Sequence, residues 1–145
     1  MPRPLLLDTT VFVAALRDPE RHIALRRLIV RPHCYVTVVT ATELHVGVHS
    51  RRQQAAIMQL LAAFVRFDRF LVPTREEWVA VGRLIAHARW RFGDMEPRDH
   101  YPDALIAYMA ARIGATIITA NVADFRRWIT LGRLDATVTA DLQAL

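Results

Sequence analysis

Short apolar runs alternate with longer amphipathic segments along the chain. The runs at Leu5–Leu7, 35–39 and 115–119 are leucine-rich or β-branched, which predicts strands that are buried on both faces. Residues 67–72 predict a weaker strand, and Thr137–Thr139 predicts a last strand at the edge of the sheet.

Between these runs, apolar residues recur every three or four positions, as they do on one face of a helix. Thr40 with Glu43 and Thr74 with Glu77 have the spacing of a capping box, which predicts a helix start at each place. Pro102 is predicted to lie in the first turn of a later helix. The predicted helices cover 11–16, 20–30, a segment opened by residues 40–43, 52–64, 74–91, 103–113 and a segment beginning with 122–128.

Strands that alternate with helices predict a three-layer α/β/α sandwich around a mostly parallel sheet. Ile23 and Trp78 are predicted to lie on the buried faces of their helices. Because no linker, repeat or low-complexity tract interrupts the 145 residues, we interpret residues 1–145 as a single domain.

Arginine dominates the charge of the chain. The net charge is +5, and all 19 lysine or arginine positions are arginine. This surplus favours a polyanionic partner, and guanidinium groups suit phosphate particularly well. No apolar run approaches the roughly 20 residues that cross a bilayer, and we expect a cytoplasmic protein. Cys34 lies among apolar residues and is predicted to be a buried thiol.

Four acidic residues follow predicted strands or open predicted helices: Asp8, Glu43, Asp103 and Asp124. The carboxyl ends of parallel strands meet at one edge of a sheet, so these side chains are predicted to converge there. Clustered carboxylates repel one another and therefore take up protons or bind cations. Oxygen ligands of this kind select Mg²⁺ or Mn²⁺. Asp99, four residues before Asp103, is an alternative to Asp103 as the third acid.

A metal ion at such a cluster activates water and neutralises charge on a phosphodiester. Arg126 and Arg127 follow Asp124 and are predicted to contact the phosphate backbone of a nucleic acid. An aspartate after a strand also occurs in aspartyl-phosphate enzymes, but those use a lysine, which this chain lacks. The Gly-Lys-Ser/Thr sequence of a P-loop is absent as well.

The chain resembles the PIN-domain family, and within it the VapC-type toxins of bacterial toxin–antitoxin pairs. In the first motif, Asp8 matches the family's metal-binding aspartate and Thr10 its supporting hydroxyl. Asn121 and Asp124 match the closing motif. The matching segments are 6–10, 42–44 with Gly47, 103–107 with Ala110 and Gly114, and 119–125.

The resemblance implies an endoribonuclease that uses Mg²⁺ or Mn²⁺, forms a homodimer and is neutralised by a small antitoxin protein. Asp8, Glu43, Asp103 and Asp124 would be its catalytic and metal-binding residues, with Asn121 orienting the carboxylates. Two alternatives stay open: an RNA-processing nuclease that is not a toxin, and an inactive PIN-like module that binds nucleic acid or protein.

Overall fold

The computed structural model describes residues 2–140, so the predicted domain limits at residue 1 and at 141–145 lie outside the described residues. Five strands and seven helices alternate along this part of the chain. The strands are β1 (Leu5–Leu7), β2 (Cys34–Thr37), β3 (Phe70–Leu71), β4 (Thr116–Ile118) and β5 (Thr137–Thr139). The helices are α1 (Thr9–Arg17), α2 (Pro19–Ile29), α3 (Val38–Gly47), α4 (Arg51–Arg66), α5 (Arg75–Phe92), α6 (Tyr101–Arg112) and α7 (Val122–Gly132), with a 3₁₀ turn at Pro97–Asp99.

All five strands are parallel and lie in the order β3-β2-β1-β4-β5. The central strand β1 pairs with β2 on one side and with β4 on the other, with Leu6 opposite Tyr35 and Ile117. The chain order reverses between β1 and β4, and the crevice at such a reversal is where open α/β sheets bind ligands.

The sheet separates two hydrophobic cores, because successive strand side chains point to opposite faces. Leu5 and Leu7 pack with helices α1 to α4 on one face. Leu6 packs with α5, α6 and α7 on the other face. This arrangement confirms the predicted three-layer sandwich with a parallel sheet.

Helix α3 begins earlier than its sequence predicts. The strand predicted over 35–39 ends at Thr37, whose hydroxyl caps the helix by accepting the backbone N–H of Thr40 at 3.1 Å. The prediction that Thr40 and Glu43 form the capping box is therefore wrong. Glu43 lies in the second turn of α3, because the cap moves three residues toward the N-terminus.

The other predicted capping box is present. The Thr74 hydroxyl accepts the backbone N–H of Glu77, and the Glu77 carboxylate accepts the backbone N–H of Thr74. Pro102 lies in the first turn of α6, as predicted. The strand predicted over 67–72 is shorter, because the chain turns at Asp68 with φ of 53° before β3 begins.

Two side chains predicted to be buried are exposed. Trp78 is 52% exposed, because Glu77 takes the inward position of α5 and pairs with Arg112 at 3.2 Å. Ile23 is 54% exposed, since it lies about 200° around α2 from the buried Leu25. By contrast, the predicted burial of Cys34 is confirmed, and burial raises the pKa of its thiol to about 12.

Candidate metal and nucleic-acid site

The site is built around Asp8, which follows β1 and is only 3% exposed. Its carboxylate oxygen Oδ2 accepts hydrogen bonds from the hydroxyls of Thr119 at 2.8 Å and Thr10 at 3.2 Å. Thr119 follows β4, the strand beside β1, so the reversal of chain order brings these side chains together. The central acid is thus held by one hydroxyl that follows β4 and by one from the first turn of α1.

Backbone N–H groups orient both of these hydroxyls. The N–H of Ala120 donates to Thr10 Oγ1 at 2.9 Å, and the N–H of Asn121 donates to Thr119 Oγ1 at 3.0 Å. A hydroxyl that accepts from a backbone N–H keeps its own proton for another acceptor. The loop after β4 therefore aims both hydroxyl protons toward Asp8.

Glu43 projects from the second turn of α3 and is partly buried. Its Oε1 accepts a hydrogen bond from the hydroxyl of Thr9 at 2.9 Å. Burial raises the pKa of Glu43, the Thr9 bond lowers it, and the negative charge of Asp8 raises it. Asp8 follows a strand and Glu43 lies in a helix, yet the two carboxylates are close enough to repel each other.

Asp103 lies in the first turn of α6 and is the most perturbed acid of the cluster. Its pKa is raised to about 7, and burial is the largest cause. The negative charges of Asp8, Glu43 and Asp124 contribute to this rise in pKa. The positive charge of Arg127 acts in the opposite direction. The pKa of Asp103 is thus affected by the charge of each of the other three predicted acids.

The rival acid Asp99 occupies a different environment. It is exposed at the end of the 3₁₀ turn that precedes α6. Asp124 lies in the first turn of α7 and is exposed. The charges of Asp8, Glu43 and Asp124 contribute to the raised pKa of Asp103, and Asp99 is not among these causes.

The remaining predicted site residues lie on or beside α7. Asn121 is exposed at its N-terminus and contributes its backbone N–H to Thr119. Arg126 and Arg127 are exposed, and the guanidinium of Arg127 lies 4.7 Å from the centre of the Trp128 ring. Arg127 is the basic residue that connects this helix electrostatically with Asp103.

The donor set fits a hydrated Mg²⁺ or Mn²⁺ ion. Within residues 2–140, no three His, Cys, Asp or Glu side chains are close enough together to enclose an ion directly. Mg²⁺ keeps several of its waters and is commonly held by one or two carboxylates, so it does not require such an enclosure. A cation bound beside Asp103 and Glu43 would stabilise their charged forms and lower the raised pKa values of both.

Two hydroxyls of the site were not predicted from the sequence. Thr119 holds Asp8, and Thr9 holds Glu43. The available signal was position alone, since Thr119 follows β4 at the same sheet edge at which Asp8 follows β1.

These features define a class of protein: a parallel α/β domain that carries acidic residues where the order of its strands reverses. The sequence matches the family model described as "PIN domain" over residues 5–128. The chain therefore belongs to the PIN-domain family, whose members are generally nucleases. A comparison with curated proteins gives no match.

Solved structures share the fold. "FitAcB from Neisseria gonorrhoeae" superposes with a TM-score of 0.65 and 20% identity, covering 97% of this chain and 99% of that chain. "FitAB bound to IR36 DNA fragment" gives 0.63 and 17%, covering 92% and 94%. "VapBC2 from Rickettsia felis bound to a DNA fragment from their promoter" gives 0.62 and 19%, covering 93% and 96%.

No helix within residues 2–140 has both the length and the apolar character needed to cross a membrane.

Proposed function

We propose that this chain is an endoribonuclease that depends on Mg²⁺ or Mn²⁺. Asp8, Asp103 and Asp124 hold the hydrated ion, one or two of them directly and the others through its waters, and Glu43 is a further ligand or holds a coordinated water. The observation that carries the proposal is the buried Asp8 at the reversal of strand order, held by the hydroxyls of Thr119 and Thr10, and the raised pKa of the nearby Asp103 supports it. Strongly perturbed acids in a crevice are typical of functional sites.

The roles of the side chains follow from their contacts. Thr10 and Thr119 fix the Asp8 carboxylate, which keeps its orientation when substrate arrives. Thr9 fixes Glu43 in the same way. A divalent ion bound there supplies charge neutralisation at the phosphodiester and a lower pKa for the attacking water.

Two exposed arginines of α7 complete the proposed site. Arg126 and Arg127 hold the RNA backbone by forked contacts to phosphate oxygens. Such contacts position a strand without reading its sequence. Asn121 orients the carboxylates from the start of α7.

We further propose that the chain is the toxin of a toxin–antitoxin pair, acts in the cytoplasm and forms a homodimer. Its support is the likeness to the FitAB and VapBC2 structures together with the motifs at both ends of the domain. The antitoxin would lay apolar residues against the amphipathic helices and direct an arginine to the acidic cluster. Restored growth upon co-expression with the product of an adjacent small gene tests this role.

The nuclease proposal is tested by cleavage of structured and single-stranded RNA with Mg²⁺, with Mn²⁺ and with EDTA. Wild type is compared with Asp8→Asn, Asp103→Asn and, as the matched control, Asp99→Asn. We expect cleavage by wild type and by the control in either metal, and none with EDTA or in the first two variants. Each removed ligand of a metal that activates water should lower the rate at least about a hundredfold.

Two results would overturn the proposal. Equal cleavage by Asp103→Asn and Asp99→Asn would show that the acidic cluster is not the catalytic site. Absence of cleavage on every RNA, with retained binding of RNA, would favour the inactive nucleic-acid-binding module. Cleavage without any growth effect in cells would instead favour an RNA-processing nuclease that is not a toxin.

A further inference from the structure

A cleft lies between the last turns of α5 and one face of α7, beside the acidic cluster. Its volume is about 710 Å³. Four of its nine lining residues are arginines: Arg91 from α5 and Arg126, Arg127 and Arg133 from α7 or its end. His87 also lines it, and none of the acidic residues within 2–140 does so. A cleft that concentrates one sign of charge attracts a polyanion.

These arginines are not used to hold the fold together by ion pairs. Within residues 2–140, the salt bridges engage other cations: Arg3, Arg21, Arg75, Arg98 and Arg112. All four arginines of the cleft are exposed. Their charges are therefore available to a ligand.

Arg133 occupies a backbone position that favours glycine. It follows the last residue of α7 with φ of 51° and ψ of 46°, in the left-handed region. A residue with a side chain is less stable in this conformation than glycine is. Arg133 thus lines the cleft from a backbone position at which glycine would make the fold more stable.

An aromatic ring lies among these cations. Phe92 lines the cleft and is 58% exposed, and the Arg91 guanidinium lies 5.4 Å from the centre of its ring. The neighbouring Trp90 is 83% exposed. Arginine beside exposed aromatic rings is the pattern that binds unstacked bases together with their phosphates.

Helix α7 lines the cleft and also carries Asp124 of the acidic cluster. Residues 123, 126, 127 and 130 share the face that lines the cleft, as positions three and four apart do. Arg127 belongs to this face and also acts on Asp103. A strand lying in the cleft would therefore lead to the carboxylates.

We propose that this cleft binds the single-stranded part of the RNA substrate, with phosphates on Arg91, Arg127 and Arg133 and a base against Phe92. This inference rests on the proposed nuclease function for the identity of the nucleic acid. Double-stranded RNA keeps its bases stacked and cannot place one against a protein ring, so a single strand is the form that fits.

The test is fluorescence anisotropy of a labelled single-stranded oligoribonucleotide, at several salt concentrations and in EDTA, so that no cleavage occurs. The variants are Arg91→Ala, Arg133→Gly and Phe92→Ala. Arg83→Ala is the matched control, because Arg83 is an exposed arginine of the same helix outside the cleft. Arg133→Gly is informative because glycine favours the observed backbone, so lost binding cannot be attributed to misfolding.

We expect each arginine variant to weaken binding about tenfold and to reduce the slope of log affinity against log salt by about 0.7. Phe92→Ala should weaken binding about fivefold or more with an unchanged slope. Arg83→Ala should bind as wild type does. A duplex of the same sequence should bind more weakly than the single strand.

The inference is overturned if the cleft variants bind as Arg83→Ala does, or if wild type does not bind single-stranded RNA. It is also overturned if poly-glutamate competes as well as unlabelled RNA, since that would assign the cleft to an acidic protein segment. The proposed function fails separately: binding that depends on the cleft without any cleavage leaves the cleft assigned and removes the nuclease.

Discussion

The carboxyl group of Asp103 has a strongly raised pKa in the metal-free protein. Its folded pKa of about 7 lies above its ordinary value of 3.8. The folded state therefore holds this proton more tightly than the unfolded state does. It follows that this group makes the folded protein less stable as pH rises from about 4 to about 7.

We predict that Asp103→Asn raises the melting temperature of the metal-free protein at pH 8, because it removes the repelled charge. At pH 4.5 the two proteins should differ little, since Asp103 is then protonated in the folded state. Thermal unfolding in EDTA at both pH values measures this, with Asp99→Asn as the control. A stability difference that does not change with pH would contradict the account.

Thr119 provides the second test at this scale. Thr119→Val keeps the shape of the side chain but removes the hydroxyl that donates to Asp8. We expect the divalent-ion concentration for half-maximal cleavage to rise about 10–100-fold, as for other groups that orient metal ligands. Thr119→Ser restores the hydroxyl and should behave as wild type does. Equal behaviour of the two variants would assign Thr119 to packing alone.

The acids of the candidate site and the hydroxyl of Thr10 were predictable from sequence, whereas the hydroxyls of Thr119 and Thr9 were not. Asp8 follows a strand and Asp103 opens a helix, and both features are visible in the chain. Threonine is common at strand ends for reasons of packing alone. That Thr119 donates to Asp8 depends on β4 lying beside β1, which is a property of the sheet order.

At the scale of the secondary-structure elements, the turn between α6 and β4 lies between the chain segments that carry Asp103 and Asp124. Gly114 makes this turn with φ of 63°, a conformation that other residues rarely adopt. A Cβ there would meet only the Asp135 carboxylate, at 3.9 Å. The demand for glycine at this position is thus conformational rather than steric.

We predict that Gly114→Ala lowers the free energy of unfolding by about 1–2 kcal/mol. Gly114→Asn should cost less, because asparagine tolerates the left-handed conformation. Urea denaturation of the three proteins measures the order. Two equally destabilised variants would show that packing, and not the backbone angle, makes glycine necessary.

Helix boundaries were harder to predict than the presence of helices. Two threonines three residues apart, Thr37 and Thr40, both precede apolar helical sequence. Thr37 is the cap because the strand ends there and its backbone is extended. At α5, the capping-box spacing correctly predicted the start of the helix. However, Glu77 of that box takes the inward position that the apolar periodicity predicted for Trp78.

At the scale of the whole molecule, the three layers have a direct energetic consequence. Leu6 and Leu7 are adjacent, point to opposite faces and are both fully buried. In a two-layer protein, one of two such neighbours would be exposed to solvent. The alternation of apolar runs with helices made this architecture predictable, since strands with two covered faces are apolar throughout.

We predict that Leu6→Ala and Leu7→Ala each lower the free energy of unfolding by about 2–5 kcal/mol. Ile23→Ala removes a side chain that is 54% exposed and should change it by less than about 1 kcal/mol. Urea denaturation followed by circular dichroism provides the values. A small effect at either leucine would be incompatible with helices on both faces of the sheet.

The central claim is that four carboxylates form one site for a divalent cation, and Mn²⁺ binding tests it most directly. Electron paramagnetic resonance of free Mn²⁺, titrated with protein, gives the affinity of wild type, Asp8→Asn, Asp103→Asn and Asp99→Asn. The account predicts that Asp8→Asn and Asp103→Asn each weaken binding at least about tenfold, whereas Asp99→Asn binds as wild type does. Equal affinities for all four proteins, or no binding by wild type, would contradict it.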